Sequence, residues 1–245
     1  MKLESMDRSN LVEIKKGQTG TGLLIENDGY VSMSEGENRK FLEEHRKLVE
    51  SSEDGGWHCP YPFVVSAVFQ KFGIENANGR IYPENVLKRE VERYQAKIEE
   101  KRAIGECNHP SESTIDLSRV AINIIEQHWV GHTLVGKLEI ITSEGFRKNG
   151  IISCQGDQVA NLLLSGIKIG VSSRGLGTVT SKMGVMYVGD DYEIVCWDVV
   201  SDPSTPQAWI TPEDNIPEQY VESKENKKKP VVLEELDKFG DWLNG

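Results

Sequence analysis

Three short stretches carry side chains able to do chemistry together. The first is Gly105-Glu106-Cys107-Asn108-His109-Pro110. Of the five histidines, His45, His58, His109, His128 and His132, only His109 is punctuated by Gly and Pro in a way that holds its imidazole on a loop or strand end. There it can act as a general base, or it can simply be a histidine in a turn. The second is Gly170-Val171-Ser172-Ser173-Arg174-Gly175-Leu176-Gly177. A serine among glycines after a strand can expose its hydroxyl while nearby backbone N–H groups receive an oxyanion. Arg174 can hold such a loop or neutralise charge, and a plain Gly-rich β-turn with solvent-facing serines is the competing account. In a strand Ser172 and Ser173 point to opposite faces, so at most one can meet His109. The third is Cys196-Trp197-Asp198-Val199-Val200-Ser201-Asp202-Pro203-Ser204. Asp198 stands in an apolar strand, where a carboxylate is costly unless paired. A histidine N–H would be such a partner, completing an acid–base–nucleophile set. A salt bridge to an arginine would serve equally well.

A metal site is the alternative chemistry. Cys107 and His109 with His128 and His132 form a superficial Cys/His set. Trp129-Val130-Gly131 reads as strand and turn, however, and an extended i,i+4 pair spans about 13 Å, too far to share an ion. No metal or other cofactor is expected.

The elements that must position these residues lie between about Trp57 and Thr211. Phe63–Phe72 reads as a strand, and Asn76-Ala77-Asn78-Gly79 as a turn. Pro83 suits a first helical position, and Val86, Leu87, Val91, Tyr94 and Ile98 follow at helical intervals to about Lys101. Val120–Ile125 and Thr133–Ile141 read as strands around a turn near Gly131. Asp157 suits the cap of a helix through Val159, Leu162 and Leu163 that stops at Gly166. Ile167–Val179 and Met186–Val200 are β-like, the first interrupted by a Gly-rich turn. A strand-rich chain with two clear helices and no βαβ alternation predicts an α+β fold or a barrel.

Outside this core the texture changes. Residues 1–55 read as a polar, flexible or loosely docked extension, with a short helix at Arg39–Val49. Residues 56–212 form the predicted functional domain. Residues 213–245 read as an acidic linker ending in a short amphipathic helix, Val231–Leu243. Over 245 residues, 28 Lys and Arg face 39 Asp and Glu, a net charge of −11. That balance argues against a nucleic-acid binder. No apolar run approaches the roughly 20 residues of a membrane span, and no secretory signal opens the chain. Cys59, Cys107, Cys154 and Cys196 lie far apart without a CxxC pair, so neither disulfides nor a zinc knuckle are signalled, and a reducing cytoplasm is the expected place of synthesis.

The order of these motifs is familiar. Gly79-Arg80-Ile81-Tyr82-Pro83, then Gly105 to Pro110, then Gly170 to Gly177, then Trp197-Asp198-Val199-Val200 through Pro203-Ser204 and Ala208-Trp209 resembles the prohead core proteases of large tailed phages. These capsid-maturation serine proteases are related in fold to the herpesvirus assemblins. The resemblance covers about Phe63 to Pro212, with Cys107 standing where an aliphatic residue is expected. It implies an α+β fold built on a small, mostly antiparallel β-barrel flanked by helices. It makes His109 the general base and Ser172 the nucleophile, Ser173 being the weaker candidate. Asp198 stands on the strand from which herpesvirus relatives offer a second histidine. Ser173, Arg174 and Gly175 would support the oxyanion.

The implied activity is a serine endopeptidase that trims phage scaffold proteins, the major capsid protein and itself inside the prohead, which assembles in the host cytoplasm. The resemblance also implies a homo-oligomer and cleavage after Glu in Leu/Ile-x-Glu contexts. Such triplets end at Glu26, Glu50, Glu218 and Glu235. They fall in the predicted extensions, where an extended substrate strand is available. A catalytically silent scaffold or core protein of the same fold is the alternative. Blocking of the site or of the oligomer interface by the N-terminal extension or the acidic tail would explain how such an enzyme is kept quiet before assembly.

Overall fold

The computed structural model describes residues 11–26, 35–36, 38–39, 41–43 and 57–212. The named elements fall in this order: β1 (Gly20–Ile25), β2 (Phe63–Lys71), β3 (Arg80–Ile81), α1 (Glu84–Glu99), β4 (Ile104–Glu106), β5 (Val120–Val130), β6 (Thr133–Ile140), α2 (Glu144–Asn149), α3 (Gln155–Leu164), β7 (Gly170–Lys182), β8 (Val185–Val188), β9 (Glu193–Val200) and β10 (Ile210–Pro212). Of the helix expected over Arg39–Val49, residues 39 and 41–43 are helical and the rest lies outside the described residues.

The strands make two five-stranded sheets. In one the order is β1-β7-β8-β3 with β9 also on β7; in the other it is β10-β2-β6-β5-β4. This is a mixed α+β fold, mostly sheet. It departs from the expected β-barrel: among the described residues the two sheets do not share a continuous ladder and are linked by the isolated bridges Cys107–Val199 and Gly170–Trp209. One apolar core fills the space between, with Phe69 and Tyr94 against the fully buried Trp197 at ring-centroid separations of 5.2 and 6.2 Å.

Two elements differ from the sequence expectations for a physical reason. The Gly-rich run 170–177 does not turn; it is the first half of the 13-residue β7. Its glycines serve close packing, since a Cβ on Gly175 would sit 2.4 Å from the Tyr192 ring. Residues 20–25, placed in the loose extension, form a strand paired antiparallel with β7 from Gly20–Val179 to Ile25–Arg174. The strand is extended by the backbone bonds Ile14 N–H to Leu23 O (2.9 Å) and Leu23 N–H to Val12 O (3.0 Å), so residues 12–25 dock as a unit. Residues 213–245 lie outside the described residues.

Pro83 precedes α1, whose apolar stripe of Val86, Leu87, Val91 and Tyr94 is buried. Asp157 sits in the first turn of α3 rather than at its cap, which is Cys154. Its carboxylate accepts from Ser143 N (2.7 Å), Ser153 N (2.8 Å) and Cys154 N (3.1 Å), tying α3 to the loop before α2. Among the described residues, no helix is long and apolar enough to cross a membrane.

Candidate active site

β7 carries two registers that meet at the site. Ser172 stands directly opposite Asp198 on β9, and Arg174 opposite Cys196. Directly opposed residues share a face, so Ser172, Arg174, Cys196 and Asp198 lie on one side of the sheet and Ser173 on the other. Ser173 Oγ accepts instead from Gln70 Nε2 at 3.3 Å.

His109 arrives from the loop after β4. Gly105 lets β4 approach β9, since a Cβ there would lie 1.9 Å from the Trp197 carbonyl oxygen. Asn108 then takes a left-handed conformation (φ 66°) and donates its N–H to Val199 O at 2.8 Å. The result is a buried imidazole whose Nδ1 lies 2.7 Å from Asp198 Oδ2. A carboxylate only accepts, so Nδ1 is the donor, and in the neutral ring Nε2 carries the free lone pair. That Nε2 is buried and has no hydrogen-bond partner among the described residues.

Asp198 is fully buried and well supplied with donors. Oδ1 accepts from Glu106 N–H (2.8 Å) and the Cys196 thiol (3.2 Å), while Oδ2 also pairs with Arg174 Nε (3.0 Å). The Arg174 side chain thus reaches Asp198 and Glu106, its Nη2 donating to Glu106 Oε2. Burial opposes its charge, yet the Cys196, Asp198 and Glu106 groups hold the guanidinium more firmly protonated than usual. Burial pushes the Cys196 thiol well up, so it remains S–H.

Ser172 donates its hydroxyl to the backbone carbonyl oxygen of Glu26, the residue following β1. Glu26 N–H in turn donates to Ser173 O at 3.2 Å. By strand alternation the Ser173 N–H faces that same carbonyl, whereas the Arg174 N–H faces β9. Gly175 lies opposite Leu24 on β1 and Ile194 on β9, supporting the ladder.

The Glu26 side chain fills a closed polar pocket. Its carboxylate accepts from Arg80 Nη1 (2.8 Å), Asn78 Nδ2 (2.7 Å), Asn76 Nδ2 (2.5 Å), Ser204 Oγ (3.0 Å) and the Tyr82 hydroxyl. Burial resists ionisation here, but the Arg80 charge and the Tyr82 and Asn78 hydrogen bonds outweigh it and hold the carboxyl below its usual range. Turn geometry builds the pocket: Asn76 Oδ1 accepts from Asn78 N (3.1 Å) and Arg80 N (3.0 Å), and Gly79 closes the turn at φ 74°. Leu24, two residues before Glu26, is wholly buried in the main core, and Ile25 packs with Leu23 and Leu176.

A family model described as prohead core protein serine protease matches residues 23–220. The chain belongs to that family. It is a protease of the phage prohead. It is 32% identical over 162 residues to the prohead core protein protease of Enterobacteria phage T4, covering 65% of this chain and 73% of the relative. In structure it is similar to the bacteriophage T4 capsid assembly protease, with a TM-score of 0.51 and 28% identity over 56% of this chain and 80% of the other. The family span takes in the end of β1 and Glu26 and runs past residue 212.

The protease's geometry brings His109, Asp198, Arg174 and Ser172 to one face, where the Glu26 backbone carbonyl reaches the Ser172 hydroxyl, while the Glu26 and Ser173 side chains lie on the other face. Glu50, Glu218 and Glu235 lie outside the described residues. Asn76, Asn78, Arg80, Tyr82, Ser204 and Glu106 were not singled out for a role from sequence. Arg80, Tyr82, Glu106 and Ser204 stand in the motifs quoted above and Asn76 and Asn78 in the predicted turn, but nothing in their spacing marks them as partners. His128 is exposed on β5, 3.2 Å from Glu126, and among the described residues no three His, Cys, Asp or Glu side chains gather as metal ligands.

Proposed function

We propose that this chain is the serine endopeptidase of capsid maturation, cutting scaffold and capsid proteins after Glu in Leu/Ile-x-Glu segments inside the prohead, as a homo-oligomer, and cutting itself after Glu26. One observation carries the reading: the Glu26 carbonyl lies on the Ser172 hydroxyl while its carboxylate is gripped by Arg80, Tyr82, Asn76, Asn78 and Ser204. The Leu24-Ile25-Glu26 segment therefore lies as a substrate strand would, with Leu24 and Glu26 supplying the two buried anchors.

The chemistry follows from the named atoms. The Ser172 hydroxyl turns its proton to His109 Nε2 as its oxygen attacks the Glu26 carbonyl carbon. Asp198 holds the Nδ1–H and stabilises the imidazolium. The carbonyl π pair moves to oxygen, facing the Ser173 N–H. His109 then returns its proton to the Asn27 nitrogen as the C–N bond breaks, leaving an acyl-enzyme on Glu26. Water, deprotonated by His109, releases the Glu26 carboxylate and restores Ser172.

Intact mass over time tests this directly, with capsid and scaffold partners added if the isolated chain stays whole. The wild type is expected to lose residues 1–26, while Ser172→Ala and His109→Ala slow the cut by at least about a thousandfold. Ser173→Ala should still cut. Further ends after Glu50, Glu218 or Glu235 would mark the other triplets. A wild type that stays whole in every mixture establishes the silent scaffold instead.

A further inference from the structure

Asp198 and His109 do not stand alone in the interior. Arg174 and Glu106, both fully buried, join them in a row: His109 Nδ1 to Asp198 Oδ2, Asp198 Oδ2 to Arg174 Nε, and Arg174 Nη2 to Glu106 Oε2. The same pair grips the segment that follows His109. Arg174 Nη1 donates to the carbonyls of Glu112 (2.9 Å) and Thr114 (3.4 Å), and Glu106 Oε1 accepts the Asp116 N–H at 2.6 Å. The other charged or titratable groups around the row are the Cys196 thiol from β9, Tyr94 and Arg102 from the α1 side, and Cys107 and Arg119 from the loop, with Arg119 Nη2 on Cys107 O.

Charge counting gives this row a purpose beyond packing. With His109 neutral, Glu106, Arg174 and Asp198 leave one uncompensated negative charge in a buried site. When His109 accepts the Ser172 proton, the four charges sum to zero. Low-dielectric surroundings favour the balanced state, so the row stabilises the imidazolium that exists only during bond breaking. Arg174 alone would oppose that state, since it already neutralises Asp198. Glu106 is what restores the excess.

We propose that Glu106 and Arg174 are positioning residues of this protease, a carboxylate–guanidinium couple that sets both the placement of His109 and the proton affinity of the His109–Asp198 pair. The proposal rests on the serine-protease reading for its use in catalysis, but its direct readout does not need activity. Substituting the two residues has opposite electrostatic signs. Glu106→Gln leaves the Arg174 charge acting undivided on Asp198, so the pair takes up its proton at lower pH. Arg174→Gln leaves two carboxylates beside His109, so the pair takes up its proton at higher pH. A loosened or merely destabilised site would not move in two directions.

The experiment uses the full chain in a Ser172→Ala background, with histidine labelled in the ring nitrogens and the His109 signals identified by their loss in His109→Gln. The midpoint of the His109–Asp198 titration is expected to fall by about one pH unit in Glu106→Gln and to rise by about one unit in Arg174→Gln. With Ser172 restored, Glu106→Gln should slow cleavage after Glu26 roughly tenfold at neutral pH. Midpoints that stay within about 0.2 unit of the background protein, or that move the same way in both variants, overturn the proposal. Should Arg174→Gln not fold, the near-isosteric Glu106→Gln decides alone, its downward shift being required. Opposite shifts in a chain that never cleaves would uphold the couple and sink the protease reading.

Discussion

A carboxylate as deeply enclosed as Glu26 keeps its charge because four neutral donors and one guanidinium surround it, and the relation runs both ways. Arg80 is equally enclosed, and it forms an ion pair with Glu26. Arg80→Gln removes the cation while keeping an amide that can still donate. Cleavage after Glu26 is then expected to fall about a hundredfold, because a pocket built around one charge rejects the unbalanced one far more than it rejects a missing methylene. Intact-mass rates at equal protein concentration check this, and an unchanged rate would take Arg80 out of substrate recognition. At this scale the sequence was legible where a residue broke a local rule. Asp198 in an apolar strand demanded a partner, a histidine or an arginine, and it meets one of each, His109 and Arg174. Glu106 broke no rule visible in one dimension, because its partners, Arg174 and Asp116, come from another strand and from ten residues on. The carboxylate pocket was invisible for the same reason: Asn76, Asn78, Arg80, Tyr82 and Ser204 converge only after β3 and the 203–209 segment fold together.

Each element positions chemistry through a contact that its own sequence only partly announces. Helix periodicity made α1 readable, and Val/Ile/Phe content made β2, β5 and β6 readable. The glycine run of β7 was not, since glycine signals a turn and a crowded strand alike, and only Tyr192 over Gly175 separates the two. α3 shows the same ambiguity at a helix start. Asp157 suits a cap by type, yet it acts from inside the first turn, collecting Ser143, Ser153 and Cys154. Although burial acts against ionisation, these hydrogen bonds bring its carboxyl down from 3.8 to about 2. A lowered value in the folded state means the stabilisation is complete above the unfolded value and disappears as pH falls between 3.8 and about 2. Asp157→Asn should therefore cost about 1–2 kcal/mol at neutral pH and only about 0.4 kcal/mol near pH 2. Thermal melts of the two proteins in the Ser172→Ala background test it: their difference in Tm should narrow as the buffer is acidified, and a gap undiminished at pH 2 would assign the loss to packing instead.

At the scale of the molecule, the arrangement that places Leu24-Ile25-Glu26 along β7 also covers Ser172. β9 flanks β7 on one side and β1 on the other, and beyond Glu26 the β7 backbone is already taken, Val171 N–H donating to Ala208 O at 2.8 Å. An incoming strand has the β7 edge to pair with only where residues 20–25 now lie, and the Ser172 hydroxyl is buried beneath the Glu26 carbonyl. That the chain carries its own Leu-Ile-Glu triplet was legible; that this triplet lies on Ser172 was not, because polar composition around it pointed to a loose extension. The consequence is measurable with a fluorophosphonate, which phosphonylates an activated serine hydroxyl. In a time course of the wild-type chain, the labelled fraction should follow the fraction cut after Glu26 and never exceed it. A synthetic peptide of residues 11–26, added once cutting is complete, should slow further labelling by re-pairing with β7 through six residues and returning a carboxylate to Arg80. Label on uncut chains would show that β1 leaves the edge without cleavage, so that the strand is a reversible lid and its departure, rather than the bond after Glu26, controls access to Ser172.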